Sequence, residues 1–364
     1  MKNKKILMII VGFYLLIVLI FLPFWINVFF SQVSNYYSHK NNFPKSVETI
    51  KYQIKLDQKL FGDKSKATVE AQEKLANRYL LYGDVKKALY YYLDSDKIRK
   101  EKKYTNGFWY SYATSSIATC YVDLYDFKKA EFYYKKALEI DKKQNHKEQV
   151  IADIINLVNY YIQTNQINKA TVQINQLSII LKEKNVEKQY FYPFMIYAQV
   201  KYYEKIGNIQ RAKILVENIL SNKNFSSKQN KTMFLGELAK IYQLQKNFNE
   251  SEKILNEVVI INGKSSNYEK AKILRKVALL NVATKHDKQA EDYLKKALLL
   301  YLKPAFRYSH EVMCNYNYLL MLNPKNIEYI KYFKDFKDYN YYINGLNFVP
   351  KKDIKIYLNS ACDY

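Results

Sequence analysis

The sequence predicts an all-α protein in which pairs of helices repeat behind one membrane-spanning helix. Three observations lead to this fold class. The 364 residues include only 8 glycines and 6 prolines, too few for a strand-and-turn protein or a flexible linker. A pattern of small and aromatic residues recurs six times at intervals near forty residues. Finally, an uncharged apolar run lies close to the start of the chain.

The membrane-spanning helix is predicted over residues 6–30, behind a basic flank at residues 1–5. The run has no charged side chain and, as a helix, would measure about 37 Å, which exceeds the roughly 30 Å of a bilayer core. A cleaved signal peptide is the alternative, but the run is long for one and no small-x-small site follows it. Three lysines precede the run, and the next cations are Lys40 and Lys45. We therefore expect a single-pass protein with its N-terminus in the cytoplasm and its long domain on the extracytoplasmic side, although this small asymmetry leaves the opposite orientation open.

Two elements connect this run to the repeats. Residues 31–45 are predicted to be a polar spacer. Ser46 to Phe61 has the pattern of a lone amphipathic helix, with Val47, Ile50 and Ile54 on one face. We expect this helix to cover the open end of the helical stack, as the end elements of repeat proteins do.

The clearest copy of the repeating pattern is Ser111–Lys142, whose two halves carry apolar residues at helical spacing. Asp126 lies between the halves, where its carboxylate can accept hydrogen bonds from the free amides at the start of the second helix. Ala118 and Ala130 are small enough for two helices to cross closely, and Tyr134 would fill the space beside them. The pattern therefore predicts two packed helices joined by a tight turn.

This stretch resembles the tetratricopeptide repeat (TPR). The signature places a large, a small and an aromatic residue on the first helix and a small, an aromatic and a small residue on the second. The matching residues are Ile117, Ala118, Tyr121, Ala130, Tyr134 and Ala137. Thr114 replaces the first tryptophan of the signature, and Lys142 replaces its closing proline. The resemblance implies a right-handed α-solenoid of TPR-like helix pairs, with a concave groove lined by the first helix of each pair.

Six copies of the pattern follow one another in phase, so that the N-terminal helix and the repeats together span residues 46–303. The small residue of each second helix, here called the crossing residue, is Ala88, Ala130, Ala170, Ala212, Ser251 or Ala290. The intervals between them are 42, 40, 42, 39 and 39 residues. Twelve residues before each crossing residue the first helix carries a small or β-branched residue, and nine residues before it five of the six copies carry tyrosine.

The remaining residues are predicted to close the stack. Residues 304–338 have the pattern of a degenerate helix pair that forms a C-terminal cap, with Asn323 and Pro324 beginning its second helix. Residues 339–364 form a tyrosine-rich C-terminal tail.

The chain is strongly basic, because 58 Lys and Arg against 34 Asp and Glu give a net charge of +24. One interpretation is an anionic partner. The other is compositional, since Lys, Asn, Ile and Tyr are abundant together and the lysines are spread over every helix. No compact arginine-rich patch occurs, so a nucleic-acid partner is not favoured. The three cysteines form neither a CxxC pair nor a disulfide framework.

No group of residues in the sequence is typical of an enzyme, so no catalytic residue, cofactor or metal is predicted. His310–Cys314 superficially resembles the HExxH motif of zinc proteases, but Cys314 stands in the place of the second histidine and no third ligand is evident. The sequence also contains no glycine-rich phosphate loop and no nucleophile on a strand-turn-helix elbow.

A candidate groove follows from the TPR resemblance alone. Projected onto this chain, its positions are Asn156, Asn159, Tyr197, Lys201, Lys205, Lys240, Lys272, Arg275 and Lys276. The C-terminal half of the groove would be basic, while the amides at its start can both donate to and accept from a peptide bond. Ordinary solvated helix faces are the alternative interpretation of the same residues.

These features favour a membrane-anchored scaffold or adaptor that binds protein or peptide partners in its groove. Acidic segments or free C-termini are favoured, because the cations provide charge-assisted hydrogen bonds. The family resemblance suggests a role in envelope-complex assembly or in secretion. The alternative is electrostatic binding of an anionic polymer or lipid surface, which added salt should abolish. The sequence does not define the oligomeric state.

Overall fold

The structure is a computed structural model and describes most of the chain between residues 21 and 331. The described residues are 21–38, 42–81, 84–183, 190–222, 228–261, 267–283, 285–301, 315, 318–320, 322–328 and 330–331. All regular secondary structure within them is α-helical. The predicted basic flank at residues 1–5 and the predicted C-terminal tail lie outside these residues, as does most of the predicted cap.

Within the described residues, fourteen helices can be followed up to residue 301. They are α1 at residues 21–38, α2 Phe43–Phe61, α3 Lys66–Leu81, α4 Val85–Glu101, α5 Phe108–Asp123, α6 Phe127–Lys143, α7 Lys147–Gln163, α8 Ile167–Ile180, α9 Tyr192–Lys205, α10 Ile209–Ser221, α11 Lys228–Leu244, α12 Phe248–Ile261, α13 Asn267–Ala283 and α14 Asp287–Tyr301. The chain divides into two compact units, Met1–Cys120 and Tyr121–Tyr364, and the boundary falls within α5. In the first unit α3 packs with α4, and in the second the pairs are α7 with α8, α9 with α10, α11 with α12 and α13 with α14.

Local sequence explains where these helices begin and end. Tyr125 has a φ of 60°, a left-handed conformation that ends α5, and Asp126 then caps α6 by accepting a hydrogen bond from the amide of Lys129 at 3.1 Å. The same arrangement recurs between α9 and α10, where Gly207 has a φ of 77° and Asn208 is the cap. In these two pairs a left-handed residue followed by Asp or Asn turns the chain between the helices, whereas between α7 and α8 the left-handed Asn165 is followed by Gln166.

The predicted crossing residues are fully buried, as close helix crossings require. Their exposures are all 0%, for Ala88, Ala130, Ala170, Ala212, Ser251 and Ala290. The residues twelve positions earlier are equally buried, at 0 to 1%, for Ala76, Ala118, Val158, Val200, Ala239 and Ala278. Interiors are packed at crystal-like density, so a larger side chain at either position would force the helices apart.

A further helix pair, not predicted from the sequence, precedes the six. Ser46 on α2 lies 42 residues before Ala88, and Ser34 on α1 lies twelve residues before Ser46; both are 0% exposed. Their Oγ atoms are 2.8 Å apart, and each Oγ also lies within hydrogen-bonding distance of the backbone carbonyl of the other residue, at 3.2 Å from Ser34 and 3.0 Å from Ser46. Residues 21–61 are therefore two helices of a repeat that use serine at the crossing, and most of the predicted spacer is helical.

The membrane prediction is wrong for the part of the chain that can be tested. Residues 6–20 of the predicted span lie outside the described residues, and none of the described helices is long and apolar enough to cross a membrane. Residues 21–30 of the predicted span are part of α1, and polar side chains of α1 bind cations of α3. Lys74 donates to Asn27 Oδ1 at 2.6 Å, and Arg78 donates to Ser34 Oγ at 3.2 Å. The prediction of a single-pass membrane protein with an extracytoplasmic TPR domain is thereby corrected.

Within the helix pairs, a cation covers the ring of the tyrosine that lies nine residues before the crossing residue. The cation immediately precedes the crossing residue in sequence, in the first turn of the second helix. The contacts are Lys45 over Tyr37, Lys87 over Tyr79, Lys129 over Tyr121, Lys169 over Tyr161 and Arg211 over Tyr203, at 5.0 to 5.5 Å from the ring centroids. Part of the chain's positive charge therefore has a structural use.

The core of the first unit contains a buried ion pair between α3 and α4. Arg99 and Glu73 meet through two parallel hydrogen bonds, Nε to Oε1 at 2.6 Å and Nη2 to Oε2 at 2.7 Å. Arg99 also donates from Nη1 to the carbonyl of Tyr104 at 3.0 Å. Both charged side chains are almost fully buried, so each depends on the other for its hydrogen bonds.

At the C-terminal end of the second unit, Leu319 is fully buried and packs in one cluster with Leu294 and Ala297 of α14. This contact places part of the predicted capping segment against the last complete pair. The segment His310–Cys314 and the whole predicted tail, residues 339–364, lie outside the described residues.

Candidate ligand-binding surface

Three neighbouring first helices of the second unit, α9, α11 and α13, bring charged residues together. We call the set the Lys–Glu cluster, and its members are Tyr197, Lys201, Glu204, Glu237, Lys240 and Lys276. Four of these six, the tyrosine and the three lysines, belong to the groove predicted from the sequence. The same three helices are anchored in the core through Val200, Ala239 and Ala278, which are 0 to 1% exposed.

Glu237 of α11 is the centre of the cluster. It accepts a hydrogen bond from the hydroxyl of Tyr197 at 3.1 Å. Its carboxylate also lies 3.6 Å from Lys201 Nζ on α9 and 3.9 Å from Lys276 Nζ on α13. One carboxylate thus ties together all three first helices.

Glu204 of α9 completes the network from the other side. Its Oε2 accepts a hydrogen bond from Lys240 Nζ of α11 at 2.9 Å and lies 3.6 Å from Lys201 Nζ. Lys201 therefore stands between the two carboxylates, and its ammonium is also 5.9 Å from the centroid of the Tyr197 ring.

The electrostatics of the two glutamates differ. Burial on its own would raise the pKa of Glu237, but Lys201, Lys276 and Lys240 outweigh burial and lower that pKa to about 2. Burial and the neighbouring Glu237 raise the pKa of Glu204, against the opposing effect of the lysines. Burial favours the neutral form of Lys240, yet Glu204 and Glu237 raise its pKa, so its cation is maintained.

The cluster has a buried anionic layer and an exposed cationic layer. The side chains of Glu204 and Glu237 are only 6% and 5% exposed, whereas those of Lys240 and Lys276 are 40% and 41% exposed. Glu204 Oε1 and Glu237 Oε2 accept no hydrogen bond from the described part of the chain. The surface that a ligand would meet is therefore made of ammonium groups fixed from below by carboxylates.

The other predicted groove residues fall into three groups. Asn156 and Asn159 lie on α7, the preceding first helix, where Asn156 is half-buried and Asn159 is exposed. Lys205 is exposed at the end of α9. Arg275 is buried on α13, and the side chain of Lys272 lies outside the described residues.

Sequence reasoning missed both glutamates of the cluster. Glu204 lies three residues after Lys201, and Glu237 lies three residues before Lys240, so each shares a helix face with a predicted lysine. That spacing was a readable signal for charge compensation.

The described residues contain no group of three or more His, Cys, Asp or Glu side chains that is arranged to hold a metal ion.

Comparison with known proteins identifies the fold. No protein-family model matches the sequence, and no curated protein matches it. Among solved structures, apo NprR, a quorum sensor from B. thuringiensis, has a TM-score of 0.57 at 17% identity, with 88% of this chain and 87% of that chain covered. A tetratricopeptide repeat protein from Parabacteroides merdae has a TM-score of 0.52 at 14% identity, with 80% and 97% covered. NprR in complex with its cognate peptide NprX has a TM-score of 0.53 at 17% identity, with 87% and 88% covered. The predicted TPR-like helical-repeat fold is therefore confirmed, and at these identities the likeness is one of fold.

Proposed function

We propose that this chain is a binding module that holds an extended, acidic peptide or protein segment against α9, α11 and α13. The observation that carries the proposal is the layered Lys–Glu cluster, in which Lys240 and Lys276 are exposed while Glu204 and Glu237 are buried beneath them. We assign the module no catalytic step, because its charged groups are arranged to bind.

The physical argument rests on preorganisation. An unsupported lysine loses side-chain freedom when it binds, and that loss weakens affinity. Lys240 is already held at 2.9 Å by Glu204, so less of this loss remains. An ammonium group has three donors, so an ammonium held by one carboxylate has further N–H groups for a ligand. A carboxylate on the ligand would accept charge-assisted hydrogen bonds from this surface.

Neighbouring residues extend the surface along the first helices. Lys205 is exposed at the end of α9 and adds a further cation, while Asn159 is exposed on α7 and offers an amide to a peptide backbone. NprR, a solved structure with the same type of fold, has been determined with its cognate peptide, which supports peptide binding as one use of this architecture.

The test is a binding titration on the full chain with a fluorescein-labelled peptide rich in Asp and Glu that ends in a free carboxylate. Replacing both exposed lysines of the cluster, Lys240→Glu with Lys276→Glu, should weaken binding at least about tenfold, because two charge-assisted contacts become repulsive. The matched control is Lys253→Glu with Lys296→Glu on α12 and α14, whose side chains are 71% and 57% exposed. The control changes the net charge equally and should alter affinity less than about twofold.

Two results would overturn the proposal. One is the absence of measurable binding of acidic peptides by the wild-type chain. The other is an equal loss of affinity in both double variants, accompanied by a steep dependence on salt concentration. That second result would show that diffuse positive charge attracts any anionic polymer.

A further inference from the structure

The first helix, α1, exposes a stripe of aromatic side chains. Their exposed fractions are 52% for Phe21, 58% for Phe24, 63% for Trp25, 60% for Phe29 and 58% for Tyr36. At 100° per residue these positions fall on one side of the helix, within an arc of roughly 140°. The opposite side of α1 is already used, because Ser34 crosses Ser46, and Asn27 binds Lys74 of α3.

Such a stripe is unusual for the surface of a folded chain. Contiguous apolar patches of several hundred Å² on a protein surface mark sites of interaction. The outward side of the described part of α1 has this character, because aromatic side chains are exposed from Phe21 to Tyr36.

We propose that this stripe, Phe21, Phe24, Trp25, Phe29 and Tyr36, is the contact surface of a homodimer formed with a second copy of the chain. Charge limits where two copies can meet. The chain carries a net charge of +24, so two copies repel one another wherever their lysine-rich surfaces meet. Residues 6–38 contain no Lys, Arg, Asp or Glu, so α1 offers an approach without opposed like charges.

The geometry of the stripe suits a twofold pair. In an isologous interface both copies use the same patch, so the patch must be complementary to itself. Aromatic rings meet this condition, because they pack edge to face with one another, as Phe24 and Trp25 already do at a centroid distance of 5.5 Å.

The exposed area is sufficient for a dimer of modest affinity. An aromatic side chain buries about 200 Å², so the five partly exposed side chains offer roughly 580 Å² on each copy. Two copies together would bury about 1,200 Å², which is the lower limit for a specific protein interface. We therefore expect a dimer whose population depends on concentration in the micromolar range.

The experiment is sedimentation equilibrium of the full chain from about 1 to about 100 μM. The wild-type chain should shift from 43.4 kDa towards about 87 kDa as its concentration rises. Trp25→Glu combined with Phe29→Glu should raise the dimer dissociation constant at least about a hundredfold, because the charge opposes its symmetry mate in a desolvated contact. The matched control is Tyr90→Glu with Phe132→Glu, two aromatics on α4 and α6 that are 66% and 61% exposed.

Three outcomes would overturn the dimer. They are a wild-type chain that stays at 43.4 kDa throughout, a dimer that persists in the α1 variant, and an equal loss of dimer in the control. Circular dichroism of each variant separates loss of association from loss of fold. Binding of the acidic peptide should be unchanged in the α1 variant, so this test stands apart from that of the proposed function.

Discussion

Replacing Asp153 by asparagine should remove a strong dependence of stability on pH. Asp153 lies on α7 and is 5% exposed, beside Asp141 at the end of α6, which is 1% exposed. His146 Nδ1 lies 2.8 Å from Asp141 Oδ1. Asp153 Oδ2 accepts no hydrogen bond within the described part of the chain. The site therefore holds Asp153 in its neutral, protonated form against the Asp141 carboxylate.

The magnitude follows from the perturbed ionisation. Burial, the charge of Asp141 and the hydrogen bond to Asp141 together raise the pKa of Asp153 from 3.8 to about 8. Between these two values the unfolded state binds fewer protons than the folded state, so the free energy of unfolding falls as the pH rises. A shift of about 4 pKa units at about 1.36 kcal/mol per unit amounts to on the order of 5 kcal/mol, lost in full only above pH 8.

The assay is urea unfolding followed by circular dichroism at pH 4, 7 and 9. The amide side chain that Asp153→Asn introduces cannot ionise, and its NH₂ group can donate to Asp141 as the protonated acid does. The variant should therefore match the wild type near pH 4 and exceed its free energy of unfolding progressively towards pH 9.

The control is Asp63→Asn, which changes an exposed aspartate between α2 and α3. Its stability should follow that of the wild type across the pH range. Parallel curves for the wild type and Asp153→Asn would refute the reasoning, because they would mean that Asp153 ionises in the folded chain as it does in the unfolded one.

Three further changes probe other parts of the chain. Arg99→Met should lower the free energy of unfolding by about 3 to 5 kcal/mol, because it leaves the buried Glu73 unpaired, and adding Glu73→Met should restore most of that loss in urea unfolding. Asp126→Ala should cost about 1 kcal/mol in the same assay, because α6 loses its N-terminal cap. Gly236→Ala should raise stability by up to about 1 kcal/mol through helix propensity, yet weaken binding of the acidic peptide, because its Cβ would lie 2.6 Å from Lys276 Nζ and displace that ammonium.

Each of these outcomes has a contrary result that would count against it. If the Arg99→Met and Glu73→Met double variant were as unstable as Arg99→Met alone, the lost stability would come from packing and not from the unpaired Glu73. If Asp126→Ala left the free energy of unfolding unchanged, water would satisfy the free amides at the start of α6 as well as Asp126 does. Unchanged peptide affinity in Gly236→Ala would remove Lys276 from the binding surface.

The helix pairs were predictable because close helix crossings require small side chains, and Ala88, Ala130 and Ala170 mark them at regular intervals. The first pair was missed for a physical reason. Its crossing residues are Ser34 and Ser46, whose polar hydroxyls satisfy one another inside the crossing and so suggest a spacer when only the sequence is considered. Ser251 had already shown that serine serves at this position, and stepping back 42 residues from Ala88 finds Ser46.

The cations of the proposed binding surface were predictable, but the carboxylates that balance them were not. The TPR resemblance placed Lys201, Lys240 and Lys276 in the predicted groove, and the structure brings these three side chains together. Whether a nearby carboxylate turns inward depends on the distance between helices, which a single sequence does not contain. Glu204 and Glu237 are buried because each finds lysines on a neighbouring helix as well as on its own.

The ring-and-cation contact in the helix pairs bears on how the chain opens. Lys129 covers Tyr121 and Arg211 covers Tyr203, so this contact joins the two helices of one pair and does not itself link one pair to the next. Tyr242 differs, because Glu250 stands where the cation would be, and Lys213 of the preceding pair covers its ring at 4.5 Å instead. Helices α9 to α12 should consequently exchange their amide hydrogens as one cooperative block, larger than a single repeat. That block carries Lys201, Glu204, Glu237 and Lys240, so local fraying elsewhere should leave this part of the proposed binding surface intact until the whole block opens.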